Sequence, residues 1–507
     1  MPGKALMVQG TASSVGKSIL VTALCRILRQ DGWNVAPFKA QNMSLNSFVT
    51  AEGGEMGRAQ VVQAEAALVE PTVDMNPILL KPEADNRSQV VVMGKPVGRL
   101  AASEYYSRRE YLWSVVTESL DRLLAEYDVV VIEGAGSPAE INLKDRDMVN
   151  MAVARYCGAP VLLIADIDRG GVFAFLVGTL QLLDPDERAL VRAFVINKFR
   201  GDLSLLVPGL EWLEKETGIP VAGVLPYYHD IHIAEEDSVS LERRAAMRTK
   251  TNHLLDIAVI GFPHLSNFDD FDPLEHEAGI RLRYVEGDGA LGDPDLVILP
   301  GTKSTMADLE YLRRTGLARE VLARAAQGTP IVGICGGFQM LGERILDPDQ
   351  VESDATEAQG LGLLPLTTTF LAEKSTHQVK GRVLEAAGLL KGASGLPVGG
   401  YEIHMGHTNG SGVAPFLIEE RSRRQCEDPD GAISADGNVL GTYIHGLFHN
   451  EALRRSILME LARRRGVALP LRGKVPSREQ EYEKLADLVR RNLDMELVYR
   501  VTGLDVR

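Results

Sequence analysis

Short apolar runs that alternate with longer helical patterns constrain the fold of this 507-residue chain most strongly. Each run is long enough for one buried strand and leads into a turn-rich segment that carries Gly, Asn, Asp or Lys. The alternation predicts an α/β fold with largely parallel sheets, in which ligands bind at the carboxyl ends of the strands. The runs in the first half are Ala5–Val8, Asn34–Phe38, Asp128–Ile132, Pro160–Ala165, Ala193–Ile196 and Pro220–Leu225.

The length of the chain exceeds what one hydrophobic core usually supports, so more than one domain is expected. A polar and basic stretch separates the first series of runs from a second one. We predict a parallel-sheet domain at 1–240, a linker at 241–254, a second α/β domain at 255–465 and a charged helical tail at 466–507. The runs of the second domain are Asp256–Phe262, Ile280–Val285, Asp295–Leu299, Pro330–Ile334, Gly381–Leu384 and Val439–Ile444.

The composition excludes several classes of protein. The chain carries 54 Lys and Arg against 69 Asp and Glu, a net charge of −15, which argues against a broad nucleic-acid-binding surface. We find neither a signal-peptide pattern nor an apolar stretch of about 18 residues, so no membrane association is expected. The four cysteines form no disulfide framework. A cytoplasmic location follows as the expectation, and there a free thiol can do chemistry.

The segment Met7–Ser18, MVQGTASSVGKS, joins a strand to a helix and predicts a phosphate-binding loop. Backbone N–H groups hold phosphate in such loops, a lysine neutralises charge and a hydroxyl can ligate Mg²⁺. The spacing departs from the commonest P-loop, because Gly10 lies one residue too early, and it indicates a particular branch of P-loop proteins. The alternative is an ordinary glycine turn before a helix. The residues expected to contact ATP here are Thr11, Ser13, Val15, Gly16, Lys17 and Ser18.

Polar residues at the ends of other strand runs extend this predicted site. Lys39 could hold a phosphate or a carboxylate, or remain a solvated lysine. Glu133 could hold Mg²⁺ opposite Ser18. Asp166 is either a second metal contact or a helix cap, and Asn197 is placed where a nucleotide base could be read. The sequence therefore predicts an ATP and Mg²⁺ site at one edge of the first sheet.

The segment Thr329–Met340, TPIVGICGGFQM, predicts a nucleophile on a sharp strand-to-helix turn. The glycines around Cys335 tolerate a strained backbone and leave room for an oxyanion. Backbone N–H groups near Gly301 and Phe338 are candidates for the oxyanion hole. The alternative is a buried, inert cysteine. The base that the thiol needs is either His445, in GTYIHGLF, or His404, in GYEIHMGH, and spacing alone does not separate them.

These motifs resemble the cobyric acid synthase family, the glutamine-dependent amidases of cobalamin synthesis, over essentially the whole chain. The first half is similar to P-loop proteins of the dethiobiotin synthetase type. The second half is similar to class I glutamine amidotransferases through GICGGFQMLG and YIHGLF. The segments that carry the resemblance to the family are Lys39–Ser47, Ile132–Leu143, Asp166–Ala174, Asn197–Asp202, Ser266–Leu274, Pro300–Thr305 and Gly400–Gly406.

The resemblance implies a P-loop synthetase domain followed by a class I glutamine amidotransferase α/β domain, with Cys335 as nucleophile and His445 as base. It implies ATP, Mg²⁺ and L-glutamine as cofactors and co-substrate, and adenosylcobyrinic acid a,c-diamide as the corrinoid substrate. Amidation of its b, d, e and g carboxylates would give adenosylcobyric acid. The oligomeric state stays open.

Two alternatives to this function remain. One is a sister ligase that amidates the a and c carboxylates. The segments MSLNS (Met43–Ser47) and EINL (Glu140–Leu143) argue against it. The other is a ParA-like switch ATPase, against which the Cys335 turn argues.

The sequence departs from the class I amidotransferase pattern at one position near the base. Leu447 stands where class I enzymes carry a glutamate. What orients His445, a backbone carbonyl or another carboxylate, is therefore open, and we expect a weaker base.

Overall fold

The computed structural model describes residues 2–84, 87–228, 230–233, 253–287, 289–384, 387–470 and 477–505. Its strands are β1 (Lys4–Gly10), β2 (Val35–Phe38), β3 (Gln41–Met43), β4 (Ser47–Val49), β5 (Glu55–Gly57), β6 (Ile78–Ala84), β7 (Arg87–Val92), β8 (Lys95–Ala101), β9 (Val129–Glu133), β10 (Val161–Asp166), β11 (Val191–Phe199), β12 (Val221–Pro226), β13 (Leu255–Ile260), β14 (Ile280–Val285), β15 (Leu296–Leu299), β16 (Ile331–Ile334), β17 (Arg344–Leu346), β18 (Glu357–Gln359), β19 (Leu366–Val383), β20 (Pro397–Gly410), β21 (Phe416–Arg421), β22 (Arg424–Asp430), β23 (Ala432–Ile433) and β24 (Val439–Thr442). Its α-helices are α1 (Lys17–Gln30), α2 (Arg58–Ala66), α3 (Ala102–Ser107), α4 (Arg109–Glu126), α5 (Met151–Cys157), α6 (Val172–Leu182), α7 (Pro185–Arg188), α8 (Val207–Thr217), α9 (Asp272–Glu275), α10 (Thr305–Arg314), α11 (Leu317–Ala326), α12 (Gly336–Leu341), α13 (Glu451–Arg465), α14 (Arg478–Asn492) and α15 (Met495–Thr502).

The chain divides into two compact units whose boundaries differ from the expected domains. The first unit comprises Met1–Ser44, Met56–Asp237 and Pro476–Arg507, and the second comprises Leu45–Glu55 and Ser238–Val475. A short piece of the first half therefore belongs to the second unit. Of the expected linker at 241–254, residues 241–252 lie outside the described part of the chain.

The first unit is built on a six-stranded parallel sheet in the order β12-β11-β10-β1-β9-β2. All six apolar runs predicted in the first half form these strands, which confirms the expected parallel α/β fold. Because β1 lies between β9 and β10, the carboxyl ends of these three strands meet at one edge of the sheet. A smaller four-stranded sheet, β3-β6-β7-β8, completes the unit.

The C-terminal helices α14 and α15 belong to the first unit, which includes Pro476–Arg507. Helix α14 has an apolar stripe with helical spacing, and a stripe of this kind needs a surface to bury it. Tyr482, Leu485 and Val489 on this stripe lie in the same hydrophobic cluster as Leu24 of α1. The sequence predicted the helix itself, but not where it packs.

The second unit contains a six-stranded sheet in the order β14-β13-β15-β16-β24-β23, parallel except for β23. Five of the six predicted runs form strands of this sheet, whereas the run Gly381–Leu384 lies at the end of the long strand β19. A second sheet runs β18-β17-β19-β21-β22, with β20 paired to β19, and β4 and β5 form a separate two-stranded ribbon. Within the described residues, every helix is too short or too polar to cross a bilayer.

Candidate active sites of the two units

The predicted phosphate loop lies between β1 and α1 of the first unit. Gly16 stands at the N-terminus of α1 with φ 108°, a left-handed conformation that glycine adopts without strain. The buried ammonium of Lys17 donates to the carbonyl oxygens of Ala12 at 3.0 Å and Gly136 at 3.1 Å. The lysine therefore lies across the loop, close to where backbone N–H groups at the helix start would meet a phosphate.

A buried carboxylate cluster lies beside this loop. Glu133, at the end of β9, accepts hydrogen bonds from Ser18 Oγ at 2.8 Å and Lys39 Nζ at 3.0 Å. Gln63 donates to its other oxygen at 2.5 Å, a contact for which the sequence offered no signal. Burial disfavours the carboxylate, but Lys39 and the hydrogen bonds hold the pKa of Glu133 below its ordinary value. The structure thus brings together Ser18, Lys39 and Glu133, which the sequence analysis predicted from three different strand ends.

The remaining residues of the predicted ATP site surround the loop. Asn197 Nδ2 donates to the carbonyl of Val15 at 2.8 Å, so its amide is used to hold the loop. Asp166 accepts from Lys198 Nζ at 2.7 Å. Thr11 donates its backbone N–H to the carbonyl of Ile164, whereas Ser13 is exposed on the loop. Base reading by Asn197 and metal binding by Asp166 stay predictions.

The second unit carries the predicted nucleophile turn. Cys335 follows β16 directly and has φ 51° and ψ −109°, a strained conformation for a residue with a side chain. Its neighbour Gly337 is packed so closely that an added Cβ would lie 2.0 Å from the carbonyl oxygen of Leu299. The thiol is buried and contacts the carbonyl oxygen of Ile403 at 3.3 Å. The turn holds the sulfur in one place at the start of α12.

His445 follows β24 and lies against this turn. Cys335 lies close enough to contribute to the raised pKa of its imidazole. A Cβ on Gly301 would come within 2.8 Å of the imidazole Cε1, so only glycine allows this approach. Gly301 therefore lies at the site, and Phe338 is in the first turn of α12, where backbone N–H groups have no partner within the helix. Both stay candidates for the oxyanion hole.

Asp270 is the residue that orients His445, and the sequence analysis did not single it out. Its Oδ2 lies 2.7 Å from Nδ1 of His445, and its Oδ1 accepts the backbone N–H of Gly446 at 2.7 Å. Leu447 is fully buried in the hydrophobic core instead. We expected a weaker base because the usual glutamate is missing, but Asp270 supplies a carboxylate to His445 in its place. The segment SNFDDFDPL contains three aspartates, Asp269, Asp270 and Asp272, and spacing alone does not show which of them meets the histidine.

The carboxylate of Asp270 makes the imidazole of His445 a stronger base for the thiol proton. Burial opposes the charge on His445, but the carboxylate of Asp270 and the nearby Cys335 raise the pKa of His445 to about 10. A carboxylate on Nδ1 fixes the tautomer and leaves Nε2 to exchange a proton with the thiol. Cys335, His445 and Asp270 therefore have the arrangement of a catalytic triad for acyl transfer.

His404, the rival base, has a different role. Its ring stacks on Tyr443 at 3.7 Å, and its Nδ1 lies 2.8 Å from the carbonyl oxygen of Gly406. Burial lowers the pKa of His404 to about 4, so the ring is neutral at physiological pH. It lines a cavity of about 600 Å³ together with Phe338 and Tyr443. This cavity adjoins the nucleophile turn and can hold a small polar substrate.

Replacing Asp270 with asparagine should lower glutamine hydrolysis by about 10²- to 10⁴-fold, because the amide no longer stabilises the imidazolium or fixes its tautomer. The raised pKa of His445 depends on the negative charge of Asp270. The alkaline limb of the pH profile of glutamine hydrolysis should therefore move to lower pH. Steady-state glutaminase assays across pH measure both effects. Asp354→Asn, the same change at an exposed position, is the control, and an unchanged profile in Asp270→Asn would remove Asp270 from the triad.

The fold and these two sites define a class of protein: a P-loop nucleotide-binding unit joined to a class I glutamine amidotransferase. Residues 6–241 match the family model described as the CobQ/CobB/MinD/ParA nucleotide binding domain. Residues 256–453 match the model described as the CobB/CobQ-like glutamine amidotransferase domain. The two matches together support a nucleotide-binding unit joined to a glutamine amidotransferase.

Full-length relatives narrow the class to one family. The chain is 56% identical to a cobyric acid synthase of Sorangium cellulosum, over 100% of both chains. It is 53% identical to one of Dehalococcoides mccartyi, over 99% of this chain and 100% of the relative, and 54% identical to one of Pelotomaculum thermopropionicum, over 99% and 97%. The chain belongs to the cobyric acid synthase family of glutamine-dependent ligases.

Proposed function

We propose that the chain uses ATP and L-glutamine to amidate the b, d, e and g carboxylates of adenosylcobyrinic acid a,c-diamide, which gives adenosylcobyric acid. The observation that carries the proposal is the pairing of the Cys335–His445–Asp270 triad with the Lys17–Ser18–Glu133 phosphate site in a chain of this family. A switch ATPase of the ParA type has no use for such a triad. The proposal places the reaction in the cytoplasm.

In the first unit the γ-phosphoryl group of ATP passes to an oxygen of a substrate carboxylate, which leaves ADP and an acyl phosphate. The charges of Lys17 and Lys39 would stabilise the oxygens of the transferring group. Ser18 Oγ and Glu133 offer the hydroxyl and carboxylate oxygens that Mg²⁺ prefers, and they lie 2.8 Å apart. Bound there, Mg²⁺ would neutralise charge on the phosphate oxygens. The donor set therefore fits the ion.

In the second unit Cys335 Sγ gives its proton to Nε2 of His445 and attacks the amide carbon of glutamine. The C–N bond breaks, His445 returns the proton to the leaving nitrogen, and ammonia departs from a thioester. Water hydrolyses the thioester to glutamate and restores the thiol. Ammonia then attacks the acyl phosphate, and phosphate leaves as the new amide forms.

A mass-shift assay tests this function directly. The purified chain is incubated with adenosylcobyrinic acid a,c-diamide, ATP, Mg²⁺ and glutamine, and the corrinoid is followed by mass spectrometry. Four successive exchanges of OH for NH₂ support the proposal. Amidation of cobyrinic acid at only the a and c positions would favour the sister ligase. ATP hydrolysis without any change of the corrinoid would favour the switch ATPase.

Replacing Glu133 with glutamine should raise the Mg²⁺ concentration that half-saturates amidation by about tenfold or more, because a charged metal ligand is lost. The affinity for ATP should change less, since the phosphate loop keeps its lysine and backbone donors. Titrating ammonia-dependent amidation with Mg²⁺ separates the two effects from the glutaminase. Glu216→Gln, at an exposed residue of the same unit, is the control. An unshifted Mg²⁺ curve in Glu133→Gln would assign the carboxylate to holding Lys39 alone.

A further inference from the structure

A segment from the first half of the sequence completes the surroundings of the glutaminase histidine. Leu45–Glu55 belongs to the second unit, although the residues before and after it belong to the first. Ser47–Val49 forms β4, and Thr376 and Gln378 donate side-chain hydrogen bonds to backbone carbonyls of the segment at 2.8 and 3.0 Å. The segment is therefore a built part of the second unit and not a loose connection.

Two contacts link this segment to the triad. Ser47 donates its backbone N–H to Oδ1 of Asn267 at 2.9 Å, and the Nδ2 of Asn267 lies 3.4 Å from Nε2 of His445. The ring of Phe48 packs edge-on against Tyr401 at 5.4 Å, and Tyr401 stacks on the imidazole of His445 at 5.2 Å. Residues 47 and 48 thus reach the catalytic ring through one intermediate residue each.

The contact with Ser47 decides which way the carboxamide of Asn267 points. A backbone N–H is only a donor, so it must face the oxygen of the amide. The nitrogen of the amide is then turned toward Nε2 of His445. Asn267 itself is held at φ 54° and ψ 45°, a left-handed conformation that asparagine tolerates. The orientation follows from donor chemistry together with the backbone position.

This orientation works against the first step of glutamine hydrolysis. Nε2 of His445 must take the proton of the Cys335 thiol, so the S–H bond breaks and an N–H bond forms. That N–H then faces the N–H groups of Asn267, and two donors repel. If the amide were reversed, its oxygen would accept the new N–H and stabilise the imidazolium. The same side chain can therefore oppose or assist the step.

We propose that Ser47–Phe48 is a brake on the glutaminase, which holds the carboxamide of Asn267 in the orientation that opposes proton transfer from Cys335 to His445. Displacement of the segment releases the amide, which then turns its oxygen toward Nε2. Leu45, the first residue of the segment Leu45–Glu55, lies six positions after Lys39 in the sequence, and only the short strand β3 lies between them. This inference rests on the glutaminase role proposed above, and Asn267 acts in it as a positioning residue.

Two variants of the full-length chain test the brake. Asn267→Gly removes the amide and keeps a left-handed backbone without strain, and Ser47→Pro removes the N–H that fixes the amide. Each should raise glutamine hydrolysis in the absence of corrinoid by about tenfold. Each should also raise the rate at which iodoacetamide alkylates Cys335, located by peptide mass spectrometry, because a larger fraction is thiolate. Gln350→Gly, also at positive φ but exposed, is the matched control.

ATP and corrinoid together should raise the alkylation rate of the native chain and leave that of Asn267→Gly unchanged. A native-like thermal unfolding profile reports that a variant is folded, and Asn267→Gly serves if Ser47→Pro does not fold. Unchanged or slower alkylation and hydrolysis in a folded Asn267→Gly would overturn the brake. A native chain that amidates no corrinoid with glutamine would instead overturn the proposed function, so the two failures are distinguishable.

Discussion

Cys335→Ser should lose glutamine-dependent amidation by about 10⁴-fold or more while it still amidates the corrinoid with added ammonium salt. The serine hydroxyl is far less acidic than a thiol, so it gives its proton to His445 much less readily. The strained turn needs no different backbone for serine, so the second unit should stay folded. Ammonia-dependent amidation should be fastest at alkaline pH, where a larger fraction is free NH₃.

The assay compares product formation with glutamine and with ammonium salt as the nitrogen source. His445→Ala should behave like Cys335→Ser, because it removes the other partner of the proton transfer. Cys426→Ser, a half-buried cysteine of the same unit, should keep both activities. If Cys335→Ser were inactive with ammonia as well, the two-site mechanism would be wrong.

Lys17→Ala should abolish amidation with both nitrogen sources, by about 10³-fold or more, because it removes the cation that lies across the phosphate loop. Its ammonium also holds the carbonyls of Ala12 and Gly136. Their loss should lower the unfolding temperature slightly and not prevent folding, since hydrogen bonds of this kind contribute about 1 kcal/mol each. Glutamine hydrolysis without corrinoid should persist.

Calorimetric titration with ATP and turnover with both nitrogen sources measure these effects. Lys215→Ala removes an exposed lysine of the same unit and is the control for net charge. Unimpaired turnover in Lys17→Ala would mean that ATP binds elsewhere. Opposite behaviour of Lys17→Ala and Cys335→Ser toward ammonia is the clearest sign that the two sites do separate chemistry.

The sequence by itself determined the two parallel sheets and the residues with strong local signatures. Apolar runs specify buried strands because a strand must bury its side chains over a short length. The phosphate loop and the turn at Cys335 each lie within a dozen consecutive residues, so their spacing is readable directly. Lys17 and Cys335 were therefore identifiable before any fold was known.

Contacts between residues far apart in the chain were decided only by the tertiary structure. Asp270 and His445 are 175 positions apart, and their pairing depends on where a short turn after β13 packs. The assignment of Leu45–Glu55 to the second unit and of α14 to the first likewise has no local signal. An apolar stripe or an acidic run shows that a partner is needed, but the partner is chosen by packing, because many surfaces of the right polarity compete for it.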